Sequence, residues 1–582
     1  MAWTNTEIAR QLGEIAELLR LDDADAYRVR AYERAAGAVG AASEDLGQLS
    51  KSELTDVHGI GSSTADKIIE FQQHGEIGLL AELRARVSPG LVAMTRVPGL
   101  GPKLARRLHD ELGLDSLDDL AAALDDGRVA SLDGMGEKSA AKLAHALERI
   151  GAKDTDRTPV ADVLDFVAEL CRRLGDLEAV ERVDIAGSLR RLRETVGDVD
   201  VLVATDDPAA VSASLRDDAE LVAEVLAEGD TKLSIITRGP GVQVDVRLVP
   251  ADSWGAALLY FTGSKAHTVR IRERAVRRGL TVNEYGIDER ESGKRVAGTT
   301  EEEAYAALAL PWIPPTMRED TGEIEAADEG TLPRVVEEAD LQGDLHAHSD
   351  VSGDGKASLE TMVKAAAERG LRWWAVTDHA ENLTMNGATR DELLARRERL
   401  GPLGDKYGIT LLDGLELNID AQGGVDYDDD FLATFDWCVA SIHSMLDRDS
   451  AQQTERICQA MTNPHVHTIG HPTGRQIGRR PGYELDWERV FETAVATGTA
   501  LEINGSARRL DIAGDIVRRA IDAGITLTIG SDAHSVGDLD NLRWAVKTAQ
   551  RGWATAGDVL NCRDLDGVRG FVRAKREDGP GG

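Results

Sequence analysis

At 582 residues, 42% of them hydrophobic, the chain is too long for a single domain and rich enough in apolar side chains for several packed cores. Its four cysteines (Cys171, Cys438, Cys458 and Cys562) form no CxxC pair, which excludes a disulfide framework and fits reduced thiols in a cytoplasm. A net charge of −35, from 102 acidic against 67 basic residues, excludes a generally basic surface and suits a halophilic source, where molar salt screens charge within roughly 3 Å.

The opening MAWTNTEIARQLGEIAELL has the apolar spacing of an amphipathic helix. It lacks the basic stretch and cleavage site of a secretory leader, and no apolar run reaches the roughly 18 residues that cross a bilayer. A cytoplasmic protein without a membrane partner is expected. A template then occurs three times: VHGIGSSTADKII (57–69), VPGLGPKLARRL (97–108) and LDGMGEKSAAKL (132–143). Each sets a Gly-x-Gly turn (Gly59 and Gly61, Gly99 and Gly101, Gly134 and Gly136), three intervening residues, then an alanine (Ala65, Ala105, Ala140). Glycine permits a tight turn between helices, and alanine lets the next helix pack closely. Pro102 falls in a first helical turn, where its missing N–H costs nothing. Such turns aim backbone N–H groups from a helix start at a phosphate, a grip on DNA that reads no sequence. Two helical regions are expected, 1–80 with the first turn and 81–155 with the other two.

The polar stretch GAKDTDRTP ends the helical region. Beyond it, a helix over 160–174 and the runs VERVDIAG, DVDVLVA, LSIIT and VQVDVRLV predict a mixed α/β layer over 156–253, with a smaller α/β unit over 254–318. Asp198 and Asp200 are two apart on a predicted strand and share a face. In VQVDVRLV, Val242, Val244, Val246 and Leu248 take one face and Asp245 the other. Three carboxylates on neighbouring strands can hold two Mg²⁺ or Mn²⁺ roughly 4 Å apart, the arrangement for nucleotidyl transfer. Upstream, Gly187 and Ser188 offer backbone N–H groups to phosphate oxygens, and Arg191 a charged fork. A lone DVD pair is more often a polar sheet edge; joined to the Gly-Ser turn and a later strand aspartate it is far more specific. Arg190, Arg191 and Arg193, then Lys265, Arg270, Arg272, Arg274, Arg277 and Arg278, form basic clusters inside an acidic chain.

The stretch GSLRRLRETVGDVDVLV (187–203), the stretch YFTGSKAHTVRIRERAVRRGLTVNEYGI (260–287) and the three turns together resemble the family X DNA polymerases (DNA polymerase beta-like) over about residues 1–318. The resemblance implies an α/β nucleotidyltransferase palm with a small thumb. It makes Asp198, Asp200 and Asp245 the catalytic metal ligands. Ser188 and Arg191 would contact the incoming triphosphate, and Gly187, Gly197 and Gly263 belong to the same dNTP-binding set. Tyr260 and Phe261 would pack against the sugar, and Arg272 would read the minor groove. Lys265 stands where the vertebrate enzyme has an acid, and Thr268 replaces an Asn. The first turn, with AYERAA (31–36), places Lys67 at the Schiff-base lysine of a 5′-deoxyribose phosphate lyase. Ser63 and Tyr27 depart from that pattern, and a lysine touching a phosphate is the alternative.

An acidic linker is expected over 319–338. From Leu341, short strands such as WWAVTDH, LLDGLELNI, DWCVASIHS and LTIGSDAH alternate with helical patterns, predicting a parallel βα barrel over 339–575 with its chemistry at the strand ends. His346, His348, Asp354, His379, Glu416, His443, His471, Asp532 and His534 lie at or just past such ends. Imidazole and carboxylate together suit Zn²⁺ or Mn²⁺, which acidify water to a pKa of about 7. One such histidine would more often be structural; nine ligand-type residues at strand ends are poorly explained that way. His465 and His467 are read as non-ligands.

This half resembles the PHP domain, which implies a distorted (β/α)7 barrel holding three metals. By that resemblance His346, His348, Glu416 and Asp532 take one metal. Glu416 bridges to a second with His443 and His471, and Asp354, His379 and His534 take the third. In family X fusions the implied activity is a Mn²⁺-dependent 3′–5′ exonuclease that processes 3′ ends, and Arg475 is a candidate phosphate contact. The expected protein fills short gaps in base excision repair, using gapped or primer-template DNA and dNTPs, as a monomer by default. The alternative is a PHP phosphatase whose N-terminal half only tethers it to DNA.

Overall fold

The computed structural model describes residues 5–144, with short omissions (23–24, 42–45, 47–48, 57–59, 76, 96, 98–99, 133, 138 and 141–142), and 157–578 except 384. The chain divides into two compact units, 1–157 and 158–582. No helix among the described residues is long and apolar enough to cross a membrane.

The first unit is helical. Gly61 and Gly101 cap α1 (Ser62–His74) and α2 (Pro102–Leu112), Pro102 opening the latter. Ala65 and Ala105 are wholly buried and Ala140 nearly so, as close helix packing demands. Gly134 adopts a φ of +74°, which a side chain would strain, and Gly136 accepts the Ser139 and Ala140 N–H groups. Gly59 and Gly99 lie outside the described residues.

The second unit opens on a five-stranded sheet: β1 (Arg182–Ile185), β2 (Val199–Ala204), β3 (Val222–Gly229), β4 (Lys232–Thr237) and β5 (Gln243–Val249), in spatial order β1-β2-β5-β4-β3. Only β2 and β5 are parallel. Val242, Val244, Val246 and Leu248 face a core shared with Val199, Val201 and Val203, so the odd-numbered Asp245 emerges on the opposite face. Two helices, α3 (Trp254–Thr262) and α4 (Lys265–Arg277), lead to a three-stranded sheet of β6 (Leu280–Val282), β7 (Ile287–Glu289) and β8 (Arg295–Ala297).

The segment expected as a linker is structured. Residues Glu323–Glu329 form α5, and Glu323 is fully buried, accepting from His267 Nδ1 at 2.6 Å. Asp320 and Asp328 pair with Arg270 (3.2 Å) and Arg274 (2.6 Å) of α4, and Glu325 also pairs with Arg270. Part of the α4 basic charge is thereby neutralised by the protein's own acids. Lys265, Arg272, Arg277 and Arg278 remain exposed.

The barrel follows as seven strands in sequential order, all parallel: β9 (Gly343–Asp344), β10 (Trp373–Val376), β11 (Thr410–Asn418), β12 (Trp437–Ser441), β13 (Thr468–Ile469), β14 (Ala500–Asn504) and β15 (Leu527–Gly530). An Ala347–Ala533 bridge brings the extensions of the first and last strands together, nearly closing it. Barrel and palm share packing: Leu510 belongs to the palm core, and Ile477 and Trp544 lie against it. The barrel half ends on the helices α6 (Leu542–Arg551) and α7 (Leu565–Asp578).

The last helix is fastened by a buried cation. Lys575 Nζ donates to Met461 O (2.7 Å), Thr497 O (2.9 Å) and Thr499 Oγ1 (2.7 Å), and burial pushes its pKa down to about 8. Lys575→Met should remove three hydrogen bonds from a charged donor, leave the buried Thr497 carbonyl unpaired and lower unfolding free energy by about 3 kcal/mol, read as an earlier midpoint in urea.

Candidate functional site

Three acids converge on one face of the palm. Asp200 and Asp245 are direct neighbours in the β2–β5 register, and Asp198 lies two residues before Asp200. Burial, then the charges of Asp198 and Asp245, push Asp200 up to about 6. Asp245 is 5% exposed. Its Oδ2 meets Lys232 Nζ at 2.5 Å and its Oδ1 accepts from Gln243 Nε2 at 3.1 Å. Burial works against its charge, yet hydrogen bonds from Lys232, Ser234 and Gln243 hold the carboxyl below its ordinary value. Gly187 has a φ of +61°, and a Cβ there would overlap the Asp200 carboxylate, so this turn can lie against the acids only as glycine.

Ser188 follows on the one-turn helix Gly187–Arg190, and exposed Gly197 precedes Asp198. Tyr260 and Phe261 end α3 edge-to-face at 5.3 Å, with Arg247 4.6 Å over the Phe261 ring. Gly263 turns the chain into α4 at φ +69°, and Arg272 is exposed on that helix. Two arginines are more committed than their sequence suggested. Arg190 forms a fork with Glu301 (2.8 Å to each oxygen), and Arg191 is held by Glu319 (Nε, 3.1 Å) and the Thr262 carbonyl. In the first unit, Lys67 pairs with Glu70 at 2.6 Å in a groove that Tyr27, Arg28, Tyr32 and Ser63 also line.

The nine barrel residues gather around Glu416. Its Oε2 lies 3.4 Å from His346 Nε2, 3.5 Å from His348 Nε2 and 2.8 Å from His379 Nδ1. Its Oε1 lies 3.1 Å from His443 Nε2 and 3.0 Å from His471 Nε2. Asp532 Oδ1 is 3.5 Å from His348, and Asp354 Oδ2 is 3.5 Å from both His379 and His534. His346, His348 and Glu416, then His379, Glu416 and His443, and then His348, His379 and His534, are each spaced to hold a metal ion. The nitrogens His346 Nε2, His348 Nε2, His379 Nδ1 and His471 Nδ1 and the oxygens Glu416 Oε2 and Asp354 Oδ1 are buried yet make no hydrogen bond. Unsatisfied buried donors and acceptors are costly, and divalent cations would satisfy them, so these residues fit the metals the sequence implied. Burial, then His534 and His379, hold His348 at about 3, which leaves a neutral imidazole with a free lone pair.

Residues outside the nine support them. Glu502 on β14 accepts from His346 Nδ1 at 2.6 Å and from the His471 N–H at 2.6 Å, and Asn418 Oδ1 lies 2.8 Å from His443 Nδ1. Such partners fix the tautomer of a ligating ring. Sequence reading missed both, although Asn418 ends its strand and Glu502 lies on a barrel strand two residues before its end. His467 faces away, accepting from the Cys438 N–H at 2.9 Å and stacking on Trp437. Arg475 is not a free phosphate contact. It donates to the carbonyls of Arg509 (2.7 Å) and Leu510 and lies 3.7 Å from Glu194.

One chain thus carries two centres for phosphate chemistry, an acid-lined nucleotidyltransferase sheet and a phosphoesterase-type barrel. Family models agree: residues 3–77 match a helix-hairpin-helix domain, 92–149 a SAM-like helix-hairpin-helix tandem, 257–319 the DNA polymerase beta thumb and 344–506 the PHP domain. The chain is 36% identical to the DNA polymerase/3′-5′ exonuclease PolX of Bacillus subtilis, over 98% of this chain and 99% of that protein. It belongs to the family X DNA polymerases that carry a C-terminal PHP domain. A probable phosphatase of Photobacterium profundum is 31% identical over 34% of this chain and 80% of its own length. One from a Thermoanaerobacter species is 30% identical over 40% of this chain and 95% of its own.

Because its folded-state pKa is raised, Asp200 costs stability as pH rises from 3.8 through about 6, and the full cost applies above that. Asp200→Asn should therefore stabilise the metal-free protein by about 2 kcal/mol at pH 7.5 and by little at pH 4, while abolishing nucleotide insertion. Calorimetry at the two pH values, beside a primer-extension assay, checks both halves. At the barrel, Glu416→Gln should lower bound manganese by at least about tenfold at a fixed free concentration, measured by elemental analysis after gel filtration.

Proposed function

We infer that this protein is a DNA polymerase that also processes DNA 3′ ends, filling short gaps in base excision repair on gapped or primer-template DNA with dNTPs. The observation that carries the reading is the in-register pairing of Asp200 with Asp245 on parallel strands, with Asp198 two residues upstream. Divalent ions, Mg²⁺ or Mn²⁺ at the palm and three Mn²⁺ or Zn²⁺ at the barrel, supply when bound the charge neutralisation and hydroxyl acidification that phosphoryl transfer needs.

The chain's own side chains do the rest. Asp198, Asp200 and Asp245 concentrate negative charge where cations are to gather, and Lys232 must yield its hold on Asp245 as they do. Gly187 keeps the Ser188 turn close enough for backbone N–H groups to meet phosphate oxygens. Gly197 and Gly263 line the same dNTP site, and Tyr260 and Phe261 offer a face to the sugar. Lys265, Arg272, Arg277 and Arg278 are the exposed basic side chains on and just past α4 that meet the DNA backbone. The Gly-x-Gly turns of the first unit add sequence-independent phosphate contacts, and Lys67 serves there as phosphate contact or lyase nucleophile.

In the barrel, Glu502 and Asn418 hold His346 and His443 in position, and His346, His348, Asp354, His379, Glu416, His443, His471, Asp532 and His534 are the ligand set. Joining the two centres on a cytoplasmic repair enzyme has a chemical logic. Polymerisation requires a free 3′-hydroxyl, and a phosphoesterase can expose one.

On single-nucleotide gapped DNA with Mg²⁺ or Mn²⁺ at high KCl, the wild type should extend the primer and Asp245→Ala should not. His346→Ala should abolish 3′ degradation and spare extension. Absence of extension in the wild type would leave a phosphoesterase tethered to DNA. Borohydride trapping on abasic DNA that persists in Lys67→Ala would remove the lyase role.

A further inference from the structure

The palm's triphosphate side and the barrel meet at an arginine cluster. Glu319, the last residue of the thumb match, accepts from Arg191 Nε at 3.1 Å and from Arg551 Nη1 at 3.1 Å, with Arg193 at 3.9 Å. Arg551 is the last residue of barrel helix α6, and the same Nη1 also donates to the backbone carbonyl of Arg191 at 2.9 Å. The barrel therefore grips Arg191 twice, through its carbonyl and through the carboxylate that orients its guanidinium. These groups are well packed, with side-chain exposures of 11% for Arg191, 10% for Arg551 and 20% for Glu319. The other edge of Arg191 is fixed by the Thr262 carbonyl, where α3 ends one residue before Gly263.

Charge at this seam points to an anion. Arg191, Arg193 and Arg551 share Glu319, while Arg475 approaches Glu194 at 3.7 Å. Three guanidinium groups thus share one carboxylate, in a chain whose net charge is −35. Arg551 Nε is buried without a hydrogen bond. Concentrating arginine there, against the sign of the whole molecule, suits a triphosphate arriving beside Ser188.

We propose that Glu319 and the barrel residue Arg551 are positioning residues that seat Arg191 for the triphosphate of the incoming nucleotide, so that the phosphoesterase domain forms a structural part of the polymerase's nucleotide site. The proposal rests on the reading of Arg191 as a triphosphate contact. It does not require Arg551 to touch the nucleotide. An arginine whose backbone and side chain are both anchored loses less freedom on binding phosphate than a loose one.

The test uses the full chain and single-nucleotide gap filling under steady-state conditions. Arg551→Ala should raise the KM for dNTP roughly tenfold with kcat within about twofold, the size expected for one lost hydrogen bond to a charged group. Arg551→Lys should recover most of that, and Glu319→Gln should act like Arg551→Ala. Mn²⁺-dependent 3′ degradation by the barrel should be unchanged in all three. Arg191→Ala separates the two layers. If it leaves the dNTP KM unchanged, the triphosphate reading of Arg191 fails. If it raises the KM while Arg551→Ala and Glu319→Gln do not, only the seat is overturned. Should Arg551→Ala also lose 3′ degradation, Glu319→Gln decides: a raised KM supports the seat and an unchanged KM overturns it.

Discussion

Like charges held close together on a partly buried sheet face set the terms for this molecule. Asp200 sits between burial and two neighbouring carboxylates, and its pKa climbs to about 6 as a result. Left to itself such a cluster destabilises the sheet that carries it. Its persistence is intelligible if cations are its normal company. The parallel pairing of β2 and β5 is what forces the arrangement, because it sets Asp200 directly against Asp245. Gly187 completes it by letting a turn lie against the same carboxylate.

The barrel solves the same problem with different chemistry. Nine ligand-type side chains come from six strand ends, and Glu416 touches five of the histidines. Behind them lies a shell of fixed polar groups. Arg396 is fully buried and pairs with Asp378 (2.9 Å) and Asp413 (2.6 Å). Asp378 accepts from Ser349 and Ser352, and Ser352 in turn contacts His348 Nδ1 at 3.3 Å. A buried ion pair is seldom a net source of stability, but one tied into a hydrogen-bonded network holds its neighbours in one geometry. A metal site that tolerates little error in ligand position has use for that rigidity.

Many arginines of this acidic protein are committed to its own carboxylates. Arg190 and Arg318 close on Glu301, and Arg270 and Arg274 on the α5 region. What remains exposed, on α4 and just past its end, is the basic surface offered by Lys265, Arg272, Arg277 and Arg278. The global charge repels a polyanion, whereas this surface attracts one at short range, where screening by salt is weakest. The acidic segment after the thumb is therefore a partner of α4 as much as a connection between domains.

The histidines and acids that cluster in the barrel, the palm acids, the helix-hairpin-helix regions and the parallel barrel were all legible in the linear chain. Each depends on local spacing: two residues along a strand, four from glycine to alanine, a histidine just beyond an apolar run. Alternation alone put Asp245 on the face opposite Val244 and Val246. What spacing cannot convey is which distant groups meet. That Glu502 steadies His346, that Asp320 and Asp328 neutralise Arg270 and Arg274, and that Arg551 reaches Arg191 across 360 residues followed only from the folded chain. The physical reason is that a side chain's type and period are inherited from its neighbours in sequence, whereas its ion-pair partner is chosen by packing among elements far apart along the backbone.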